Sequence, residues 1–378
     1  MKIPLYRAFT DASDVRRVSS VLERGLNWAI GPEVAEFERT VASYVGRKYA
    51  VSFNSGTSAL HATMLALRIG EGDEVVVPSF TFIATANAAL FVRASPVFAD
   101  IERVTYGLDP ESVAKALTRR TKVIVPVHIG GIVCRYAGEL ERMGRERKLV
   151  VVEDACEALG ATSKGRMGGT YGDVSVLSFC ANKLISTGEG GMVLTDRKDV
   201  YERLKLVGSH GRLDKVPYFN SSASSDYVEL GFNWRMSSMT AALGASQMKK
   251  LEKAIKLRRK VAKALDSRLS RVGEVETPVE PAGFRHTYQM YTIKVRSGRK
   301  ARDGLNEFLS SKGINSKVYF DPIHRTRFYR EVLGRKAPKL PATDWVSSRV
   351  LTIPIYPGMT KDEVAYVADS VKAYFSRG

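Results

Sequence analysis

The sequence is poor in cysteine and short of acid. Its 378 residues hold three cysteines, Cys134, Cys156 and Cys180, too few and too scattered for a disulfide framework or the paired spacing of a zinc site. That usage suits a reducing compartment, and no metal is expected. The opening residues Met-Lys-Ile-Pro-Leu-Tyr-Arg carry charges and a proline where a secretory signal needs an apolar run, so a cytoplasmic location is expected. One uncharged window, 75–92, is long enough to span a bilayer, but it contains Pro78, Ser79, Thr81, Thr85 and Asn87. It reads as strand, turn and buried helix, and no membrane partner is expected.

The strict glycine signatures of nucleotide sites are missing as well. There is no G-x-x-x-x-G-K-[ST], and Gly188-Glu-Gly-Gly lacks the G-x-G-x-x-G spacing, which disfavours a P-loop NTPase and a Rossmann dehydrogenase. The shortage of acid leaves 58 Lys and Arg against 40 Asp and Glu, a net charge of +18. Such an excess points toward phosphate-bearing partners. Its densest part places Lys249, Lys253, Lys256, Lys260 and Lys263 at helical spacing, with Leu251, Ile255, Ala262 and Leu265 on another side of the same helix. No basic run is interleaved with aromatics and no zinc-finger or RNA-binding signature appears, so nucleic acid is not expected as a partner.

What is present is a regular alternation. Strands are expected near 49–53, 75–77, 97–99, 123–127, 149–152 and 174–179 and from Met192, with helices between them near 81–91, 110–117, 138–147 and 201–207. This pattern predicts an α/β fold, a mostly parallel central sheet covered by helices on both faces. A long helix over 239–269 follows, preceded by a polar loop running from 208 through 221–225. Beyond it come a strand over 288–295, a helix over 302–311, a strand near 314–319 and a last helix over 361–375. Two domains are expected, 1–250 and a small α+β domain at 251–378, with the change inside the long helix.

The chemistry centres on residues 173–195. A buried strand ends at Phe179, a short polar loop carries Lys183, and glycines at 188, 190 and 191 lead into a second strand. A lysine between two core strands is poorly placed for a solvated charge, although most lysines are surface residues. Upstream, Val150-Val-Val-Glu-Asp154 delivers an aspartate at the carboxyl end of a strand, where open α/β sheets place ligand groups. A Schiff-base lysine and a carboxylate to hold a pyridinium nitrogen protonated are the two groups that pyridoxal phosphate (PLP) requires. The turn Asn54-Ser-Gly-Thr-Ser opens a helix and leaves N–H groups free for an anion, or is simply capped by Ser55 or Thr57.

Five stretches in order, 54–60, 77–85, 152–161, 178–191 and 231–236, resemble the PLP-dependent nucleotide-sugar aminotransferases of the DegT type. The resemblance implies the aspartate-aminotransferase fold (PLP fold type I) and a homodimer with shared active sites. It implies that Lys183 holds PLP and shuttles the proton, and that Asp154 pairs with the pyridinium nitrogen. Gly56, Thr57, Ser58 and the Ser178 hydroxyl would bind the phosphate, and Phe82 would stack on the ring. Asn233 would reach the partner's cofactor phosphate, and Trp28, Arg235 and His324 would face the substrate. Glu157 stands where many members have glutamine beside the PLP hydroxyl. Together with Phe179-Cys-Ala-Asn-Lys183, it is similar to perosamine synthases, which aminate C4 of a GDP-4-keto-6-deoxy sugar. The expected activity is therefore transfer of an amino group from an amino acid, glutamate by analogy, to a nucleotide-linked keto-deoxy sugar of polysaccharide biosynthesis. The loops over 28–32, 208–228 and 319–329 are expected to select the substrate. Two alternatives stand beside it: a pyridoxamine-phosphate-dependent sugar dehydratase, a branch in which histidine replaces the lysine, and a non-catalytic regulator that binds nucleic acid through the basic helix.

Overall fold

Alternation along the strands decides which layer each side chain meets. In the computed structural model, which describes residues 1–213, 226–334 and 337–376, seven strands form the main sheet. They are β1 (Tyr49–Phe53), β2 (Glu74–Pro78), β3 (Ser95–Ala99), β4 (Thr121–Ile124), β5 (Val150–Asp154), β6 (Val174–Ser178) and β7 (Gly191–Thr195), in the order β1-β7-β6-β5-β4-β2-β3. Strands β6, β5, β4, β2 and β3 are mutually parallel. Only β7 runs against its neighbours β1 and β6. Val75, Val77, Val152, Val174, Val176 and Val193 face one apolar layer with Leu60, Met64, Leu204 and Val207. Their neighbours in sequence turn the other way: Val76 and Ile124 meet Val113 and Leu140, while Leu177, Met192 and Leu194 meet Phe37, Val41 and Met248. Both faces are thus covered by helices, as a parallel sheet requires.

Local chemistry sets the helix ends around this sheet. The helix Gly56–Ala66 is capped by Ser55, whose side chain accepts from the Ser58 N–H while Ser58 answers the Ser55 backbone. Helix Pro32–Val45 starts on its proline and stops at Gly46, which takes the left-handed conformation at φ 89°. A Cβ at Gly191, the first residue of β7, would lie 2.2 Å from the Ser55 carbonyl oxygen. The antiparallel strand can therefore sit against the Ser55 turn only without a side chain there.

Beyond residue 250 lies a smaller three-stranded antiparallel sheet, β8 (Val275–Glu276), β9 (Tyr291–Val295) and β10 (Val350–Ile353). It packs with helices Leu251–Leu269, Arg299–Ser311 and Lys361–Phe375 around Leu265, Ile293, Leu305, Leu351 and Val367. Ile3 belongs to this same core, its N–H donating to the Gly313 carbonyl (2.9 Å) and its carbonyl accepting from Asn315 (3.0 Å).

Two expectations are corrected. The long helix over 239–269 is two helices, Ser238–Met248 and Leu251–Leu269, parted at Lys249 and Lys250. Lys250 Nζ pairs there with Asp14 and lies 3.3 Å from Asp11, and Gln247 Nε2 donates to Asp14 Oδ2 and to the Phe9 carbonyl, both at 3.0 Å. The strand near 314–319 does not form. Ile314 bridges to Ile3 and Lys317 bridges to Thr352, and with its ends paired to different partners the segment builds no ladder. Two short helices, Arg327–Leu333 and Pro341–Ser347, escaped the sequence reading although Thr326 and Pro341 mark their starts. The loop expected over 221–225 lies outside the described residues.

One fully buried carboxylate ties the layers together. Glu153 accepts from the Gly169 N–H (2.8 Å), the Gly172 N–H (2.7 Å) and His128 Nε2 (2.8 Å), with Arg47 Nη2 at 3.6 Å. The Cys134 N–H donates to His128 Nδ1 at 3.0 Å, so the ring proton resides on Nε2 and the contact is a hydrogen bond rather than an ion pair. Burial alone would raise the Glu153 carboxyl, but the His128 and Gly172 donors and the Arg47 charge outweigh it and hold it below its ordinary 4.5. Glu153→Ala should cost about 3–5 kcal/mol of unfolding free energy, because it strands buried donors and a guanidinium. Since the folded carboxyl is depressed, its contribution is complete above the unfolded value and is lost as pH falls through the folded one. Urea unfolding should show the gap between wild type and Glu153→Gln closing on acidification below about pH 4.5.

Candidate active site

The carboxyl ends of β5 and β6 open into a cavity of about 420 Å³, lined by Gly56, Thr57, Phe82, Asp154, Glu157, Ser178 and Lys183. Asp154 is the last residue of β5, one step past Glu153, so it points to the opposite side of the strand. Its Oδ2 accepts from Thr85 Oγ1 (2.7 Å) and its Oδ1 from the Cys156 N–H (3.2 Å). Thr85 gives its single proton to Asp154, so the Thr81 hydroxyl, 3.0 Å away, must donate to Thr85. This relay fixes the plane of the carboxylate and leaves each oxygen able to accept a further N–H.

Lys183 sits in the loop after β6. The loop is closed at its neck by hydrogen bonds from the Phe179 N–H to the Gly190 carbonyl and from the Thr187 N–H to the Phe179 carbonyl, both 2.9 Å. The buried Phe179 ring packs on Phe37, centroids 4.9 Å apart. Lys183 Nζ lies 3.2 Å from Glu157 Oε1, whose other oxygen accepts from the Gly130 N–H at 2.9 Å. Burial works against the lysine's charge, but the Glu157 carboxylate 3.2 Å away and the Asp154 charge outweigh it, and its ammonium is held above the ordinary lysine range. Burial, reinforced by the Asp154 charge, raises the Cys156 thiol well above its usual value and keeps it protonated.

At the start of helix Gly56–Ala66 the N–H groups of Ser58 and Ala59 are taken, by Ser55 Oγ (3.1 Å) and the Ser55 carbonyl (3.1 Å). Those of Gly56 and Thr57 face the cavity without an intrahelical partner. A Cβ at Gly56 would lie 3.1 Å from Ser178 Cβ and 3.3 Å from its Oγ. Glycine thus keeps open a small cradle of two amides and one hydroxyl at the positive end of a helix. This donor set fits a phosphate, Asp154 fits a ring N–H, Lys183 fits a carbonyl-derived carbon between them, and the exposed ring of Phe82 offers a face at the mouth. The residues present therefore fit PLP.

The remaining expected site residues are placed elsewhere. Ser58 is buried with its hydroxyl donating to Asn54 Oδ1 (2.6 Å); it supports the cradle rather than lining it. His324 is a correction: it is neither at the cavity nor on the surface but buried, its Nδ1 2.7 Å from Ser79 Oγ, which also accepts from its backbone N–H (3.0 Å). It anchors the segment that carries Tyr319 and Phe320 into the cavity wall. Trp28 is half-exposed, its indole N–H donating to the Val21 carbonyl (3.0 Å). Asn233 and Arg235 lie on a strand-like segment bridged to Ser209 and Phe53, with Arg235 Nη1 3.3 Å from Ser209 Oγ. None of these lines the cavity of its own chain. Sequence reasoning missed Thr85, Tyr6 and Lys317, which also line the wall, whereas Tyr319 there opens the 319–329 loop expected to select the substrate. Thr85 belongs to the quoted stretch 77–85 and could have been found as a hydroxyl at the start of the helix following β2.

The model of the DegT/DnrJ/EryC1/StrS aminotransferase family matches residues 9–372. The GDP-perosamine synthase of Caulobacter vibrioides is 35% identical over 338 residues, 89% of this chain and 88% of that protein. The spore coat polysaccharide biosynthesis protein SpsC of Bacillus subtilis is 34% identical over 366 residues, 95% of this chain and 93% of the relative. Among solved structures, Spr1654 of Streptococcus pneumoniae, designated a sugar aminotransferase and determined in its PLP form, superposes with a TM-score of 0.92 at 26% identity, covering 100% of this chain and 99% of that one. With a lysine, an aspartate and an anion cradle converging on one cavity, and with a match running nearly end to end, the chain belongs to the DegT/DnrJ/EryC1/StrS aminotransferase family.

Proposed function

We propose that this aminotransferase uses PLP to move an amino group from glutamate to C4 of a GDP-linked 4-keto-6-deoxyhexose. The observation that carries the reading is the contact of Lys183 Nζ with Glu157 Oε1 (3.2 Å) inside the cavity that also holds Asp154 and the Gly56–Thr57 amides. PLP bound there supplies the electron sink that lets a proton leave the substrate carbon. Lys183 holds and moves that proton at Nζ, and Glu157 is close enough to take or return it. Asp154, held by Thr85 and Cys156, keeps its acceptor oxygens aimed at the ring nitrogen. Gly56, Thr57 and Ser178 bind the phosphate, and Phe82 shields the ring face.

The choice of a GDP-linked acceptor and of C4 is supported by the perosamine synthase relative together with Glu157 and the Cys180-Ala-Asn-Lys183 run. The same reading makes the enzyme a homodimer: Asn233 is exposed and outside its own cavity, as expected of a residue that serves the partner's cofactor phosphate. Trp28 and Arg235 are assigned to the substrate in that assembly. Lys183 stands where the dehydratase branch has histidine, which disfavours that alternative.

An ultraviolet-visible spectrum of the PLP-loaded protein before and after adding glutamate tests this. The expected outcome is a band of lysine-bound cofactor that glutamate converts to the pyridoxamine form; folded wild-type protein with no such band would overturn the proposal. Lys183→Ala should abolish the band and lower turnover by at least ~10²-fold, the scale of lost proton-transfer catalysis. Thr85→Val should keep the band and slow the glutamate step by roughly tenfold, since it removes one hydrogen bond to a charged group.

A further inference from the structure

The charges lining the cavity leave one cation without an assigned task. Asp154, Glu157 and Glu189 are its carboxylates, and Lys183 and Lys317 are its cations. Lys183 is committed to Glu157 at 3.2 Å. Lys317 is different. Its ammonium lies 5.1 Å from the centre of the Tyr319 ring, and no carboxylate among the described residues is within ion-pair distance of it. Its position is nonetheless fixed, because its N–H donates to the Thr352 carbonyl (3.0 Å) and its carbonyl accepts from the Thr352 N–H (2.8 Å) on buried strand β10. The result is a solvent-exposed cation on a rigid backbone at the rim of a cavity whose deeper lysine is already paired.

We infer that Lys317 is a specificity-determining residue that binds the diphosphate of the nucleotide-linked acceptor. This rests on the reading of the acceptor as a nucleotide-linked sugar. The Gly56–Thr57 cradle accommodates a single phosphate, and the cofactor takes it. A second phosphorylated group must find its donors elsewhere. In a sugar reacting at a ring carbon beside the part-buried Lys183, the diphosphate hangs from the anomeric carbon on the far side of the ring, toward the mouth of the cavity, and Lys317 is the exposed cation among the cavity's lining residues. A lysine suits this task as a compact point charge for phosphate oxygens. The α-carboxylate of an amino-acid donor, by contrast, is bonded to the reacting carbon itself and lies deeper.

The test is calorimetric titration of the PLP-loaded protein with GDP and UDP, with guanosine as the uncharged counterpart, on wild type, Lys317→Met and Lys317→Arg. The cofactor band in each variant reports that the site is folded and loaded. Wild type should bind at least one diphosphate more tightly than guanosine. Lys317→Met should weaken that diphosphate by roughly ten- to hundredfold, the range for a hydrogen bond to a charged group, with Lys317→Arg recovering most of the loss. Undiminished diphosphate binding by Lys317→Met would overturn the inference. So would wild type binding neither diphosphate, or Lys317→Met losing glutamate-driven conversion while keeping its diphosphate affinity, which would assign the residue to the donor. Failure of the glutamate conversion in wild type is a separate result and counts against the aminotransferase reaction, not against Lys317.

Discussion

Everything in the active site depends on the phase of one strand. β5 ends in two consecutive carboxylates, and because successive side chains leave a strand on opposite faces, Glu153 and Asp154 serve opposite ends. Glu153 turns into the helical layer, where two backbone amides, His128 and Arg47 hold its charge. Asp154 turns into the cavity, where Thr85 and the Cys156 amide orient it. A slip of one residue would bury the site carboxylate and send the structural one into the site. The hydrogen bonds of Glu153 therefore fix the fold and the direction of Asp154 together.

The second constraint is electrostatic. Taking a lysine out of water disfavours its charge, and an unaccompanied Lys183 would titrate downward. Glu157 reverses this, and the Gly130 amide holds Glu157 in place. Lysine and glutamate thus form a close ion pair inside the cavity, while the helix start at Gly56 provides fixed positive potential without a side chain. Charge of one sign sits at each end of the cavity, and the apolar strands behind it keep those fields from being screened by water.

Much of this could be read before the structure. The alternation of strands and helices, Asp154 at a strand's carboxyl end, Lys183 between core strands and the glycine-opened helix start are all local patterns written in neighbouring residues. The His324 placement was not readable, since a histidine after Pro322 looks alike on a loop and in a pocket, and its partner Ser79 comes from a distant strand end. The break at 249–250 was hidden because the lysines continue a helical spacing across it. Lys317 was passed over because a segment whose pairing partners lie at residues 3 and 352 carries no periodicity of its own.

The way the chain's first residues are used bears on how it is made. Ile3 completes a core otherwise built from residues 261–371, and it is held by Gly313 and Asn315. Asp14 clamps Lys250 at the junction between the two long helices. These are contacts of very large sequence separation, whose loop-closure entropy must be met before they repay anything. During synthesis, residue 3 leaves the ribosome long before residue 313 exists, so the C-terminal lobe cannot close until an early-made segment has waited unpaired for most of translation. All seven strands of the main sheet exist by residue 195, so that sheet is able to begin assembling first, and the three-stranded sheet then finishes by recapturing residue 3.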